Sequence, residues 1–224
     1  MSAQNFTKLF EFFSLIGQLK RVQRTGWVLR QVNAPESVAD HMYRMSVLSL
    51  LADTSSGLNK EKCVKMSLVH DVAESIVGDI APADCIDKVE KSRREKTAMS
   101  HITSLIPEEV GQEMMQLWME YEDQSSAEAR FVKDIDKFEM VLQAYEYEQL
   151  EEKPGHLQEF FDSTDGKFQT DTVQGWVSEL RKIRGQTSPN PHFSSPHLAR
   201  GRSHNTKDSA TVHPFSVDHK EKDS

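Results

Sequence analysis

The spacing of apolar residues is the feature that most constrains the fold of this chain, because this spacing has the period of an α-helix almost throughout. One such stripe consists of Phe131, Ile135, Phe138, Leu142 and Tyr145. Intervals of three and four residues place side chains on one face of a helix. Comparable stretches succeed one another from residue 5 to residue 184, and none alternates with the period of two expected of a strand. The sequence therefore predicts an all-α fold.

Capping residues, prolines and glycines divide this pattern into separate helices. We expect helices over residues 5–18, 33–53, 59–77, 87–105, 108–122, 125–150, 157–161 and 170–184. The second should start at Asn33, and the sixth should be capped by Ser125. In the third, Val64, Leu68, Val72 and Ile76 lie four residues apart and are expected to face the core. A polar linker, 20–33, is expected between the first two helices.

Composition separates a folded body from a tail. Only 37% of the 224 residues are apolar, and the polar excess lies at the C-terminal end, which is rich in serine and proline. We predict one helical domain over 1–185 and a disordered tail over 186–224. The tail holds five of the 27 Lys/Arg and four of the 35 Asp/Glu, so the body carries a net charge of −9. An acidic body argues against binding to nucleic acid polymers or anionic membranes.

The N-terminal helix and the cysteines bear on the compartment. Phe6, Leu9, Phe10, Phe13 and Ile16 have the spacing of an amphipathic helix, which predicts a core or dimer surface. Charged residues interrupt the run, so it favours neither a signal peptide nor a membrane span. The chain has two cysteines without CxxC spacing, as expected of ordinary thiols in a reducing compartment. We predict a cytoplasmic or nuclear location.

Ionisable residues on apolar helices are the sharpest indication of chemistry. His41 lies among Val38, Met42 and Met45, and a lone histidine in such a place is usually a hydrogen-bonded core residue. His70, however, is followed at once by Asp71 and, one helical turn later, by Glu74. Burying these groups without partners would cost several kcal/mol each, on the order given by transfer measurements. A divalent cation would satisfy them together.

His41 and Asp136 could reach such a cation from two other helices. Asp136 lies between the apolar residues Ile135 and Phe138. Two imidazoles and two carboxylates suit manganese, iron, cobalt, nickel, zinc or magnesium, in rough order of preference, and argue against copper(I) or a thiolate zinc site. This set leaves coordination positions open for water and substrate, the pattern of a catalytic metal. The residues alone therefore predict metal-assisted hydrolysis.

The order H…HDxxE…GD…D resembles the signature of the HD-domain phosphohydrolases. Three stretches are similar to the 5′-deoxynucleotidase branch: ESVADHMYRM (36–45), LVHDVAESIVGDIAP (68–82) and KDIDKFEM (133–140). The resemblance runs from about residue 9 to residue 180. It implies a single HD-domain helical bundle, a hydrolase of deoxyribonucleoside 5′-monophosphates with Mn²⁺, Co²⁺ or Mg²⁺ as cofactor, and a homodimer.

The same resemblance implies roles for individual residues. His41, His70, Asp71 and Asp136 would bind the first metal. Glu74 and Asp79 would lie at the reacting phosphate and its water, and both, with the Ile80 carbonyl, would lie at a second metal. Glu74 would accept a proton or orient the water.

The linker supplies candidates for substrate binding. Arg24 and Arg30 are candidate phosphate contacts, and Trp27 is a candidate stacking group for base or sugar. Bacterial relatives have an adjacent Arg-Trp pair here, whereas Arg24 and Trp27 are separated by two residues. Two alternatives remain open at this point: a hydrolase of another nucleotide phosphoester, and a non-catalytic helical module whose metal is structural or lost.

Overall fold

A computed structural model describes residues 3–81 and 84–186. Within these residues the secondary structure is helical and there is no strand; Gln23 and Ser37 form an isolated bridge. The helices are α1 Ala3–Gln18, α2 Thr25–Leu29, α3 Val38–Ser49, α4 Lys60–Val69, α5 Glu74–Val77, α6 Lys88–Thr103, α7 Glu108–Asp123, α8 Ala127–Leu150, α9 Gln158–Thr164 and α10 Asp171–Gly185, with a 3₁₀ turn at Thr54–Ser56. The predicted all-α class is confirmed.

The long helix α8 lies at the centre and packs against α3, α4, α7, α9 and α10. Phe131, Ile135, Phe138 and Tyr145 of the predicted stripe are buried, and Leu142 is partly buried. Other faces of α8 are buried as well, because neighbours surround it. They bring charged residues into the interior, among them Asp134, Glu139 and Glu148. Such burial of charge is uncommon and needs partners.

The third predicted helix, 59–77, is wrong in its middle. Asn59 caps the start as expected, but α4 ends at Val69 and α5 begins at Glu74. Between them the Val72 N–H bonds the Val69 carbonyl three residues back, which is the spacing of a 3₁₀ turn. Leu68 is 50% exposed because α4 buries another face, which carries Cys63 and Met66, and Ile76, beyond the turn, is 44% exposed. The predicted stripe therefore does not face the core; Val72 alone of its four residues is fully buried.

Two other helix starts differ from the expectation. Ser37, not Asn33, caps α3: its hydroxyl accepts from the Asp40 N–H while the Asp40 carboxylate accepts from the Ser37 N–H. This reciprocal pair satisfies two backbone donors, which a start at Asn33 would not. Likewise Ser126 rather than Ser125 caps α8. The predicted linker also contains the short helix α2.

The first helix forms as predicted, but its aromatic stripe is not core. Phe6, Phe10 and Phe13 are 50–68% exposed, and α1 packs against α5 through its other residues. No helix in the described part of the chain has the length and apolar content to cross a membrane. Residues 187–224 of the predicted tail, and Pro82 and Ala83, lie outside the described residues. The domain boundary at 185 stays a prediction.

Candidate metal centre

His41 projects from α3 into the space between α3 and α8, where it is wholly buried. Its Nδ1 lies 2.6 Å from Glu139 Oε2. Since a carboxylate only accepts, Nδ1 carries the proton in this hydrogen bond. Nε2 then points to Asp136 Oδ1 at 3.3 Å and to Asp71 Oδ2 at 3.8 Å. One imidazole nitrogen is thus anchored and the other faces two carboxylates.

His70 and Asp71 lie in the turn that ends α4. His70 Nδ1 donates to the Ser67 carbonyl at 2.9 Å, because a carbonyl oxygen can only accept. His70 Nε2 therefore faces the cluster and lies 3.1 Å from Asp71 Oδ2. Asp71 Oδ2 also lies 3.8 Å from His41 Nε2, so the end of α4 supplies both an imidazole and a carboxylate to the cluster.

Asp136 enters from α8. Its Oδ2 accepts from the Tyr121 hydroxyl at 2.7 Å and from Lys133 Nζ at 2.9 Å, which leaves Oδ1 toward His41. Burial alone would raise the pKa of this carboxyl, but Lys133 and His41 outweigh it and hold the pKa well below its usual range. Asp136 therefore stays ionised and keeps one oxygen available.

Several buried atoms of this cluster have no hydrogen-bond partner. They are His41 Nε2, His70 Nε2 and Glu74 Oε2. Orphaned buried polar atoms are rare, because each costs roughly 1–3 kcal/mol. The ligand atoms of His41, His70 and Asp71 lie within 4.8 Å of one another, so one ion can reach all three. Two imidazole nitrogens with carboxylate oxygens fit a divalent transition metal or magnesium.

The protonation of His41 supports this fit. Burial and Arg24 act to lower the pKa of His41, yet Glu139 and Asp136 outweigh them and raise it to about 9. The surroundings thus favour positive charge at this imidazole. Metal binding releases such protons, so a cation there would take over the charge that the carboxylates favour.

Glu74 and Asp79 lie beside the cluster on α5 and the loop after it. Glu74 is 4% exposed, and burial, then the charges of Asp71 and Asp79, raise its pKa well above the usual value. Asp79 is held by Thr25: its Oδ2 accepts from the Thr25 N–H at 2.7 Å, and its carbonyl accepts from the Thr25 hydroxyl at 2.6 Å. Ile80 follows on the rim of a cavity. These residues form the open side of the cluster.

Arg24 and Trp27 occupy different surroundings. Arg24 Nη1 lies 3.5 Å from Asp71 Oδ2; burial opposes its charge, but Asp71, Asp79 and Asp136 raise its pKa further. Trp27 is only 1% exposed and donates its indole N–H to Glu36 at 2.9 Å. Arg24 therefore lies at the cluster, whereas Trp27 belongs to the core. Arg30 lies further out, paired with Glu159.

A cavity of about 310 Å³ opens beside the cluster. Arg24, Asp79 and Ile80 line one part of it, and Met140 and Phe160 line another. This volume is at the lower end of small-molecule sites. The cavity thus joins charged groups near the cluster to an apolar wall.

Sequence reasoning missed several residues around the cluster. Glu139, Tyr121 and Lys133 hold His41 or Asp136. Glu139 had a readable signal, because it follows Asp136 by three positions and so shares its helix face. Tyr121 and Phe160 lie on other helices, and nothing in their local sequence indicates the contact.

Comparison with known proteins places the chain in a family. A model of the HD domain family matches residues 16–176, and the chain belongs to that family. It is 56% identical over 196 residues to the Homo sapiens protein named 5′-deoxynucleotidase HDDC2, with 88% of this chain and 95% of the human protein covered. Over 77% of this chain and 73% of the Saccharomyces cerevisiae 5′-deoxynucleotidase YBR242W, the identity is 41%.

Solved structures show the same architecture. A conserved hypothetical protein from Pyrococcus furiosus aligns with a TM-score of 0.64 at 30% identity, covering 77% of this chain and 99% of that one. The HD domain-containing protein YGK1 aligns with a TM-score of 0.59 at 31% identity, covering 84% and 88%. The helical fold is therefore shared with these solved proteins.

Proposed function

We propose that the chain is a metal-dependent 5′-deoxynucleotidase that converts deoxyribonucleoside 5′-monophosphates to a deoxynucleoside and phosphate. One observation carries the chemical part: the two orphaned imidazole nitrogens of His41 and His70 face the Asp71 carboxylate beside an open cavity. The relatives named 5′-deoxynucleotidase, at 41–56% identity over most of the chain, support the substrate class.

The proposed ligands of the first metal are His41 Nε2, His70 Nε2 and the carboxylates of Asp71 and Asp136. The donor set of nitrogen and oxygen favours Mn²⁺ or Co²⁺, with Mg²⁺ as the harder alternative. Glu74, Asp79 and the Ile80 carbonyl are proposed to lie at a second ion. A bound divalent cation would polarise a phosphate oxygen and lower the pKa of a water.

The chain's own residues have distinct proposed roles. Arg24 binds the phosphate, since its guanidinium lines the cavity and already faces the cluster. Glu74 is the proposed acceptor of the proton of the attacking water, because its Oε2 is buried, unpaired and next to the ligands. Its raised pKa means that a bound divalent cation would be needed to keep the carboxylate ionised for this role. Asp79 orients that water, and Thr25 fixes Asp79 in turn.

A phosphate-release screen tests the proposal. The full chain is incubated with matched deoxy- and ribonucleoside 5′-monophosphates in Mn²⁺, Co²⁺ or EDTA, with His70→Ala as the metal-ligand control. We expect release from the deoxynucleotides with metal only, and none from the variant. Equal turnover of ribonucleotides would overturn the deoxyribose preference. No release with any metal would overturn the enzyme and favour a non-catalytic module.

We also infer that two copies associate through α1. Phe6, Phe10 and Phe13 present three exposed aromatic rings on one helix, more than isolated surface residues would supply. Light scattering should give the mass of a dimer for the full chain and of a monomer for Phe10→Glu/Phe13→Glu. A monomeric parent chain would contradict the inference. A cytoplasmic or nuclear location stays a prediction from the sequence.

A further inference from the structure

The cavity beside the metal centre is lined by both charged and apolar side chains. Arg24 and Asp79 are charged, and Arg24 reaches Asp71 of the cluster at 3.5 Å. Phe160 and Met140 supply apolar surface, with the paired charges of Arg30 and Glu159 beside the Phe160 ring. A ligand that fills this space therefore needs a charged group at the metal and a flat or apolar group away from it.

Two aromatic residues border the cavity, but they are not equally available. Trp27 is 1% exposed, and its ring is covered by Phe160 at 4.4 Å and Tyr147 at 5.3 Å between centroids. Phe160 is only partly buried. The indole therefore supports the phenyl ring from behind, and the phenyl ring is the aromatic surface that a ligand can touch.

The position of Phe160 is fixed by the backbone of α2. A Cβ added at Gly26 would lie 3.3 Å from Phe160 Cε1, so the glycine admits the ring at close range. The Arg30 guanidinium lies over the Phe160 ring, 5.6 Å from its centroid, and is itself paired with Glu159. A ring held by Trp27, Gly26 and Arg30 is a rigid platform, which favours stacking.

We infer that Phe160 is the platform on which the nucleobase stacks, and so determines specificity for base-bearing over base-less phosphomonoesters. This inference rests on the proposed function, because it takes a deoxynucleoside monophosphate as the ligand. It assigns the phosphate to the Arg24 end of the cavity and the base to α9. A base has an aromatic face whatever its identity, so the platform accepts all four.

Phe160→Leu tests the inference, because it keeps apolar volume and removes the flat ring. KM and kcat are measured with Mn²⁺ for the deoxynucleotide that the parent chain hydrolyses best and for 2-deoxyribose 5-phosphate, which lacks a base. We expect KM for the nucleotide to rise about tenfold, with kcat and the base-less substrate unchanged. Phe168→Leu is the matched control: this ring is also partly buried against the core but lies outside the cavity, and both substrates should be unaffected.

The outcomes separate the two proposals. If the parent chain hydrolyses neither substrate, the proposed function fails. If it hydrolyses the nucleotide but Phe160→Leu changes both substrates alike, or neither, the stacking platform fails. Should the variant melt well below the parent, Ser163→Leu replaces it, because Ser163 is exposed and lines the same cavity. A change in KM of at least about threefold for the nucleotide alone would then support the inference, and no selective change would overturn it.

Discussion

Two clusters of buried charge differ in whether their polar atoms have partners. The first surrounds His41 and His70 and leaves three buried atoms without a hydrogen bond. The second surrounds Glu148, which is 1% exposed at the end of α8. Both Glu148 oxygens accept from Arg184, at 2.8 and 2.9 Å, and Oε1 also accepts from the Leu157 N–H.

This difference distinguishes a cluster that joins helices from a cluster that can bind a ligand. Around Glu148 every charge is paired, and Arg184 also lies 3.9 Å over the Phe161 ring, so the cluster joins α8, α9 and α10. Around His41, by contrast, the buried atoms that face the proposed metal position have no hydrogen-bond partner. The unpartnered polar atoms of the first cluster therefore cost stability until a ligand satisfies them, whereas the polar atoms of the second cluster already have their partners.

The largest expected effect comes from Glu74→Gln. It removes the proposed proton acceptor while keeping its shape, so kcat should fall about 10³-fold with Mn²⁺ affinity retained at the first site, that of His41, His70, Asp71 and Asp136. The metal-free variant should melt no lower than the parent at pH 7, since the raised pKa of Glu74 shows that its ionised form is unfavourable. Steady-state kinetics, metal titration and calorimetry measure these quantities.

Glu95→Gln is the matched control for Glu74. Glu95 is also a buried carboxyl, and burial raises its pKa in the same way. It lies on α6, however, and does not belong to the residues that could hold a metal ion together. Its replacement should leave kcat within about twofold, as expected away from the reacting atoms. Equal losses of kcat in both variants would contradict a special role for Glu74. Loss of Mn²⁺ from the first site in Glu74→Gln would instead make Glu74 a ligand of the first metal.

The next largest effect is expected from Glu139→Gln, which weakens the hydrogen bond that holds His41 Nδ1. Partners of metal-binding histidines typically change metal affinity 10–100-fold, and we expect the Mn²⁺ dissociation constant to rise about 30-fold. Glu146→Gln is the control, because Glu146 pairs with the same Arg44 without touching His41. Electron paramagnetic resonance counts the free Mn²⁺. A rise of the same size in both variants would show general destabilisation instead.

The smallest effect is expected in the second cluster. Glu148→Gln should lower the free energy of unfolding by about 1.5 kcal/mol at pH 7, with turnover per folded molecule unchanged. Burial acts to raise the pKa of Glu148, but Arg184 and the Leu157 N–H outweigh it and hold the pKa below the usual 4.5. Its contribution is thus complete above pH 4.5 and is lost as the pH falls through the lower folded value.

Denaturation at pH 7 and at pH 3 measures this difference. The gap between parent and Glu148→Gln should narrow at the lower pH, and Glu179→Gln, which breaks an exposed pair with Lys182, should show almost none at either pH. A gap that widens toward acid would contradict the assignment of Glu148 as an ionised, paired carboxylate.

The sequence predicted the all-α class and the residues that gather at the centre, because both depend on local pattern. His41, His70 and Asp71 lie within reach of one ion, and Asp136 adjoins His41. Each was an ionisable residue on an apolar helix, which is costly unless it has a partner. The free-energy cost of burying an ionisable residue can be inferred from the apolar residues beside it in the sequence.

Other features depend on contacts between distant segments and could not be predicted. Leu68 and Ile76 continue a helical period, but both are exposed, because α4 buries another face and the chain leaves the helix at His70 before Ile76. Trp27 appeared available for stacking until Phe160, 133 positions away in the chain, covered it. The aromatic stripe of α1 had the period of a buried face, yet no described helix covers Phe10. Periodicity indicates which residues share a face, not what lies against it.

Anomalous diffraction from a crystal soaked in Mn²⁺ tests the central claim most directly. The account predicts a peak within about 2.5 Å of His41 Nε2 and His70 Nε2, and of carboxylate oxygens from Asp71 and Asp136. A second group in the described residues, Glu36, His41 and Glu139, has ligand atoms equally close together. A peak at that group alone, or no peak while Mn²⁺ supports turnover, would contradict the assignment of the metal centre.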